Sequence, residues 1–190
     1  LIKEVSFGND GNISQDRLED CINSDLANNF GNLCQRVTAF TIKNCEGKIP
    51  KDIEFNNEDL ILLDKFKKNL NLIRNKIDEL DLNFYIEFIV TTLFETNKYF
   101  NDQEPWKKKD DFKRLNTIVY TTLEIVRKIS FMLYPIIPQS SLNALKIFDI
   151  KEDQIKFSSI DNHMFLEKNM DINKINILFK KIEKNYDWFS

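Results

Sequence analysis

Histidine, cysteine, glycine and proline are all scarce in this chain of 190 residues, which has one His, three Cys, four Gly and four Pro. The single His163 leaves little room for acid–base chemistry built on histidine, and so few glycines cannot form a Walker-type phosphate loop or a G-x-G-x-x-G turn. The cysteines show no C-x-x-C spacing, which predicts reduced thiols, no structural zinc and a cytoplasmic location. The sequence therefore predicts neither a catalytic site nor a metal site.

Net charge is also low, at -3 from 27 Lys plus Arg and 30 Asp plus Glu. Domains that hold nucleic acid by bulk electrostatics are usually strongly basic, so this balance argues against such a protein and against DNA as a partner. No apolar run reaches the length of about 18 residues that a membrane helix needs, and no signal-peptide layout opens the sequence. The absence of Met at position 1 suggests a piece of a longer protein.

Apolar residues recur at spacings of three and four along most of the chain, which predicts α-helices. The predicted helices cover residues 24–46, 57–80, 82–99, 111–134 and 138–148, with a closing helix over 172–187. The third of these is apolar nearly all round, which predicts that it lies in the middle of a bundle. With no strand alternation, repeat or dividing linker, the fold is predicted to be all-α, with a connector at 1–13 and a helical bundle at 14–190.

Three polar residues, Asn28, Asn32 and Arg36, are spaced four apart beside the apolar stripe of the first predicted helix. Arginine is rare here, with five in the chain, so each one carries information. A guanidinium presents a planar fork of donors that suits the acceptor edges of bases or phosphates. The alternative is a solvated helix face in an asparagine-rich protein.

Trp106 follows Pro105 in a polar break, residues 101–106, after the third predicted helix. The proline disfavours helix just before it, so the indole is held at a helix boundary. There it either plugs the end of the bundle or offers a rigid π face on which a splayed base can stack. The basic run 107–109, with Lys113 and Arg114 a turn later, is either solvated surface or a neighbour of phosphates.

Four motifs resemble segments of methionyl-tRNA synthetases. The run 25–36 resembles the D-L-x-N-x-x-x-N-L-x-x-R helix of that family, and the run 97–106 resembles its N-x-Y…P-W segment. Residues 3–11 are similar to the REVPFGQDG stretch that joins the family's catalytic core to its helical bundle, and 178–183 resemble its L-F-x-x-I-E close. The matches occur in the same order and span the chain.

This resemblance implies the anticodon-binding helix bundle of a class I aminoacyl-tRNA synthetase, which reads the CAU anticodon of methionine and initiator tRNAs. It implies that Asn32 and Arg36 meet the first anticodon base and that Trp106 stacks on it, with less defined roles for Asn28 and Pro105. The implied partners are the anticodon stem-loop of tRNA(Met) and the enzyme's own catalytic domain. ATP and methionine are expected to bind that domain, so this part of the ligase is expected to have no cofactor and no catalytic activity.

Two alternatives stay open at this point. The bundle could belong to a related class I synthetase for Cys, Ile, Leu or Val, although the Pro105–Trp106 pair together with Asn32 and Arg36 favours methionine. The chain could also be a helical scaffold for protein–protein interaction. A scaffold is expected to expose a broad apolar patch rather than one Trp beside a polar ladder.

Overall fold

The computed structural model describes residues 14–161 and 166–182, without the side chain of residue 15. The described residues form helices and short turns and no strand, apart from one antiparallel bridge between Lys48 and Asp171. The helices are α1 (Gln15–Cys21), a π-helix (Ile22–Gly31), α2 (Asn32–Asn44), α3 (Asn57–Asp78), α4 (Leu82–Gln103), α5 (Phe112–Leu133) and α6 (Pro138–Leu145). Short 3-10 turns cover Pro105–Lys107, Lys146–Phe148, Glu152–Gln154 and Phe157–Ile160. The predicted all-α fold is confirmed.

Side-chain caps mark the starts of α3, α4 and α5. Asn56 accepts the backbone N–H of Glu58 at 3.0 Å at the start of α3, and Asp81 accepts that of Phe84 at 3.1 Å at the start of α4. Asp111 caps α5 in the same way. These caps confirm the predicted starts of three helices, since a capping oxygen satisfies a backbone donor that would otherwise lack a partner. The first helix, however, begins at Gln15, well before the predicted residue 24.

The central helix is α5, which contacts α2, α3, α4 and α6 and has 18 of its 22 residues buried. The prediction that the preceding helix occupies the middle is wrong, because Phe94 of α4 is 62% exposed. Helix α5 carries charged residues inside the core: Glu124 and Arg127 are fully buried, and the Arg127 Nε lies 3.1 Å from the Glu124 carboxylate. Because these opposite charges pair inside the core, the sequence of α5 is not uniformly apolar, and its burial could not be recognised from hydrophobicity alone.

The predicted closing helix over 172–187 is wrong for the residues that are described, because 172–182 have no regular secondary structure. The end of this segment is fixed by Asn23, whose side chain accepts the N–H of Ile182 at 2.8 Å and donates to its carbonyl at 2.9 Å. Apolar residues at helical spacing can therefore also pack from a segment that is not helical. Residues 183–187 lie outside the described part, as do the predicted connector 1–13 and His163.

None of the three cysteines forms a disulfide. Burial raises the pKa of the Cys45 thiol to about 11 and that of Cys34 further still. A thiol in such an environment stays protonated and is a poor nucleophile at neutral pH. Within residues 14–161 and 166–182, no group of three or more His, Cys, Asp or Glu is placed to hold a metal ion, and no helix is long and apolar enough to cross a membrane.

Candidate nucleic-acid interface

Trp106 lies in a tight turn between α4 and α5. Helix α4 ends as Glu104 adopts a left-handed conformation with φ 45°, and Pro105 then opens the 3-10 turn. Proline suits this position because its fixed φ matches a helical first residue. Pro105 is buried, whereas the Trp106 side chain is 40% exposed. The structure thus places Pro105 beneath the surface, where it shapes the turn, and Trp106 at the surface.

One phenyl ring anchors the indole. The ring centroids of Trp106 and Phe100 are 6.2 Å apart at an interplanar angle of 68°, and Phe100 packs edge-on against Phe40 at 5.9 Å. Phe100 itself is buried, at 2% exposure. Such edge-to-face pairs fix ring orientation as well as burying area. Trp106 is therefore held on its inner side and accessible on its outer side, so it does not simply plug the bundle.

Arg36 contacts the same phenyl ring from α2. Its guanidinium carbon lies 5.5 Å from the Phe100 centroid, and its Nη2 donates a hydrogen bond to Asn101 Oδ1 at 2.6 Å. The side chain is exposed, and the Asn101 bond uses only one of its N–H donors. The structure thus brings Arg36 and Trp106, 70 positions apart in sequence, to one surface around Phe100.

The two asparagines of the predicted ladder differ in local structure. Asn32 is the first residue of α2, one helical turn before Arg36, so the two side chains are neighbours on one face. Asn28 lies in the π-helix, where the N–H of Asn32 bonds to the carbonyl of Ala27, five residues back. Both asparagines are exposed, but the wider π-helical turn breaks the regular four-residue ladder before Asn32.

A buried polar network beneath the Trp106 turn is absent from the sequence-based prediction. Asp59 of α3 is 0% exposed and accepts hydrogen bonds from Arg114 Nη1 at 2.6 Å and Nη2 at 3.0 Å. The Tyr99 hydroxyl also donates to Asp59, and Arg114 Nη2 donates to Gln103 Oε1 at 2.6 Å. Burial and the Asp59 carboxylate raise the pKa of Tyr99, so its hydroxyl stays a donor. One signal for Asp59 was available, since it stands three residues after the cap Asn56 in a capping box.

Three of the five basic residues around Trp106 form ion pairs with carboxylates. Lys107 lies 2.7 Å from Glu104, Lys113 pairs with Glu54, and Arg114 pairs with Asp59. Arg114 is not the phosphate neighbour that the sequence suggested, because its side chain is only 15% exposed. Lys108 and Lys109 have no ion pair among the residues that the structure describes, so the basic run is only partly neutralised.

Comparisons with known proteins agree on one family. Residues 49–189 match the profile of a family described as the anticodon binding domain of methionyl tRNA ligase. The methionine–tRNA ligase of Brucella suis is 37% identical over 161 residues, covering 84% of this chain and 31% of that protein. The corresponding protein of Thermotoga maritima is 32% identical over 185 residues, covering 96% of this chain and 29% of that protein.

Solved structures show the same likeness. The fold matches the free form of Mycobacterium tuberculosis methionyl-tRNA synthetase with a TM-score of 0.89 and 30% identity, over 96% of this chain and 37% of that one. It also matches the form of that synthetase bound by methionyl-adenylate with a TM-score of 0.87 and 30% identity, over 94% and 36%. The chain spans about a third of the length of the curated relatives it matches. Because the family profile covers most of the sequence, this chain belongs to the family of methionyl-tRNA ligase anticodon-binding domains.

Proposed function

We propose that this domain reads the first base of the CAU anticodon of tRNA(Met) on behalf of an ATP-dependent methionine–tRNA ligase. The observation that carries the proposal is that Arg36 and Trp106 both contact Phe100. A guanidinium group with hydrogen-bond donors and an exposed indole ring therefore lie on one surface. Family membership supports this function over that of a helical scaffold.

The chemistry of cytosine suits these side chains. Its Watson–Crick edge presents O2 and N3 as acceptors, to which the free N–H groups of Arg36 can donate. Asn32, one turn away, can supplement that contact with its amide, while Trp106 supplies stacking that any base accepts. Because Asn101 and Phe100 already hold the guanidinium, less side-chain freedom is lost on binding.

The rest of the reaction belongs to other parts of the full-length protein in this proposal. ATP and methionine bind its catalytic domain, and the present domain holds the anticodon stem-loop so that the acceptor end reaches that domain. A buried core with raised cysteine pKa values fits a recognition role better than a chemical one. The proposed location is the cytoplasm, where charged tRNA is used.

Arg36→Ala in the full-length protein tests the proposal most directly. Changing the first anticodon base should reduce charging of tRNA(Met) strongly in the parent but much less in the variant, because a bidentate base contact contributes about 1–3 kcal/mol of discrimination. The measurement is kcat/KM for charging with C and with U at that position. Arg74→Ala is the matched control, since Arg74 is an exposed arginine on α3. Equal base discrimination by the Arg36→Ala variant and the parent would remove Arg36 from the site.

Trp106→Ala is expected to weaken tRNA recognition by about 1–3 kcal/mol, the range for the loss of one stacked base. The loss should be similar for every base at the first anticodon position, because stacking tolerates all of them. Affinity for the anticodon stem-loop is the measurement. Leu72→Ala, at 43% exposure against 40% for Trp106, controls for loss of a half-exposed apolar side chain. A folded Trp106→Ala variant with parental affinity would contradict the stacking role.

A further inference from the structure

A groove runs beside the helix that carries the proposed reading residues. Its volume is about 490 Å³, which falls within the range of about 300–1,000 Å³ for ligand-binding clefts. One wall is the helix and the other is the non-helical segment at 177–181. The residues that matter for its chemistry are Ala27, Gly31, Asn32, Gln35, Lys180 and Lys181. Asn32 thus belongs both to this groove and to the face that carries Arg36.

Packing fixes the two walls against each other. Phe179 lies against Phe30 with ring centroids 6.2 Å apart, and Asn23 binds both backbone groups of Ile182 just beyond. Gly31 lies directly beneath the segment, since a Cβ there would meet the Phe179 ring at an ordinary contact distance of 3.4 Å. The groove is therefore a built feature of the bundle rather than a gap beside a loose chain.

The groove carries two adjacent cations. Lys180 and Lys181 are exposed, and neither forms an ion pair with any residue of the described ranges. Near Trp106, Lys107 and Lys113 are matched with glutamates, whereas Lys108 and Lys109 have no ion pair among the described residues either. In a chain whose net charge is -3, two adjacent cations without carboxylate partners leave a local positive potential.

We infer that this groove binds the sugar–phosphate backbone of the single-stranded anticodon loop, with Lys180 and Lys181 neutralising phosphates beside the base held by Asn32. The inference rests on the proposed function and extends it from base reading to backbone binding. Lysine ammonium groups act as point charges that recognise phosphate without regard to sequence. The Gln35 amide, which lines the same groove, can donate to a phosphate or sugar oxygen.

The first test removes both charges in the full-length protein. Lys180→Ala/Lys181→Ala should weaken binding of a CAU stem-loop and should make the plot of log affinity against log salt shallower by about 0.7 for each lost phosphate contact. The loss should be equal for CAU loops and for loops with a changed first base. Lys67→Ala/Lys68→Ala is the matched control, because it removes two adjacent exposed lysines from α3. A salt slope that changes no more than in this control would overturn the inference.

The second test neutralises the RNA instead. Single methylphosphonate substitutions along the anticodon loop should weaken binding to the parent at one or two positions, and should have no further effect at those positions on the Lys180/Lys181 variant. Losses that add independently at every position would also overturn the inference. Failure of the proposed function would look different, because the parent itself would then bind CAU loops and changed loops equally well.

Discussion

Replacing Glu124 by leucine is expected to lower the free energy of unfolding by about 3–5 kcal/mol, the range for breaking a buried ion pair from one side. Glu124 is fully buried in α5 and accepts hydrogen bonds from Arg127 Nε at 3.1 and 3.2 Å. Lys128 is buried beside them, with its Nζ 5.1 Å from the centre of the Phe66 ring. The variant therefore leaves two buried cations without their shared carboxylate. Urea unfolding followed by circular dichroism measures the change.

The double variant Glu124→Leu/Arg127→Met is the control for this prediction. It should recover much of the lost stability, because apolar residues of similar size can replace a buried ion pair at little cost. A double variant that is less stable than Glu124→Leu would contradict the account. It would mean that Arg127 stabilises the core without Glu124, for example through its bond to the Ser159 carbonyl at 2.9 Å.

The same variant should show a distinct pH dependence. Burial lowers the pKa of Lys128 to about 8, and the Glu124 carboxylate opposes that shift. Without Glu124, Lys128 should lose its proton at a lower pH, and the folded state tolerates the neutral amine better than the ammonium ion. When the pKa of a lysine is lower in the folded state than in the unfolded state, the unfolded state binds more protons and stability rises with pH. The destabilisation caused by Glu124→Leu should therefore be larger at about pH 6 than at about pH 9.

Asp59→Ala is expected to be similarly severe, at about 3–5 kcal/mol, because it strips a buried partner from Arg114. The single carboxylate joins three helices: it caps the start of α3 by accepting the Asn56 N–H at 2.8 Å, and it accepts from Tyr99 on α4 and Arg114 on α5. Glu54→Ala, which removes the exposed partner of Lys113, should have little effect by comparison. Thermal unfolding of the two variants side by side measures the contrast.

Function supplies a second readout for Asp59. Its hydrogen-bond network includes Tyr99 and Gln103, which lie in the last turns of α4, just before the Trp106 turn. Below its unfolding temperature, the Asp59→Ala variant should therefore bind the anticodon stem-loop less tightly and show shifted Trp106 fluorescence, measured in a Trp188→Phe background. Parental stability together with parental fluorescence would show that the turn does not depend on Asp59.

The accuracy of the sequence-based fold prediction varied with how local the determining interaction is. Capping by Asn56, Asp81 and Asp111 involves backbone groups only two or three residues away, so composition and spacing suffice to locate those helix starts. The central position of α5 depends instead on charge pairing inside the core. The non-helical course of 172–182 depends on bonds such as Asn23–Ile182, which join residues 159 apart. No local pattern encodes either of these.

The candidate site shows the same division. Helical spacing correctly predicted that Asn32 and Arg36 share an exposed face, and the proline correctly predicted a boundary at Trp106. The bond from Arg36 to Asn101 and the role of Phe100 in joining the two parts come only from the packing of α2 against the end of α4. The contact of Asn32 and Arg36 with the first anticodon base remains a prediction.

The π-helix Ile22–Gly31 makes the length of this segment matter more than the identity of most of its residues. Loss of one residue from it would replace bonding over five residues by ordinary α-helical bonding over four and would change the directions of the side chains within the segment. Asp25, at 8% exposure, would be turned out of its place in the bundle. Homologous sequences should therefore tolerate substitutions here far more readily than single-residue deletions, and a deletion in one lineage should be accompanied by repacking against α4.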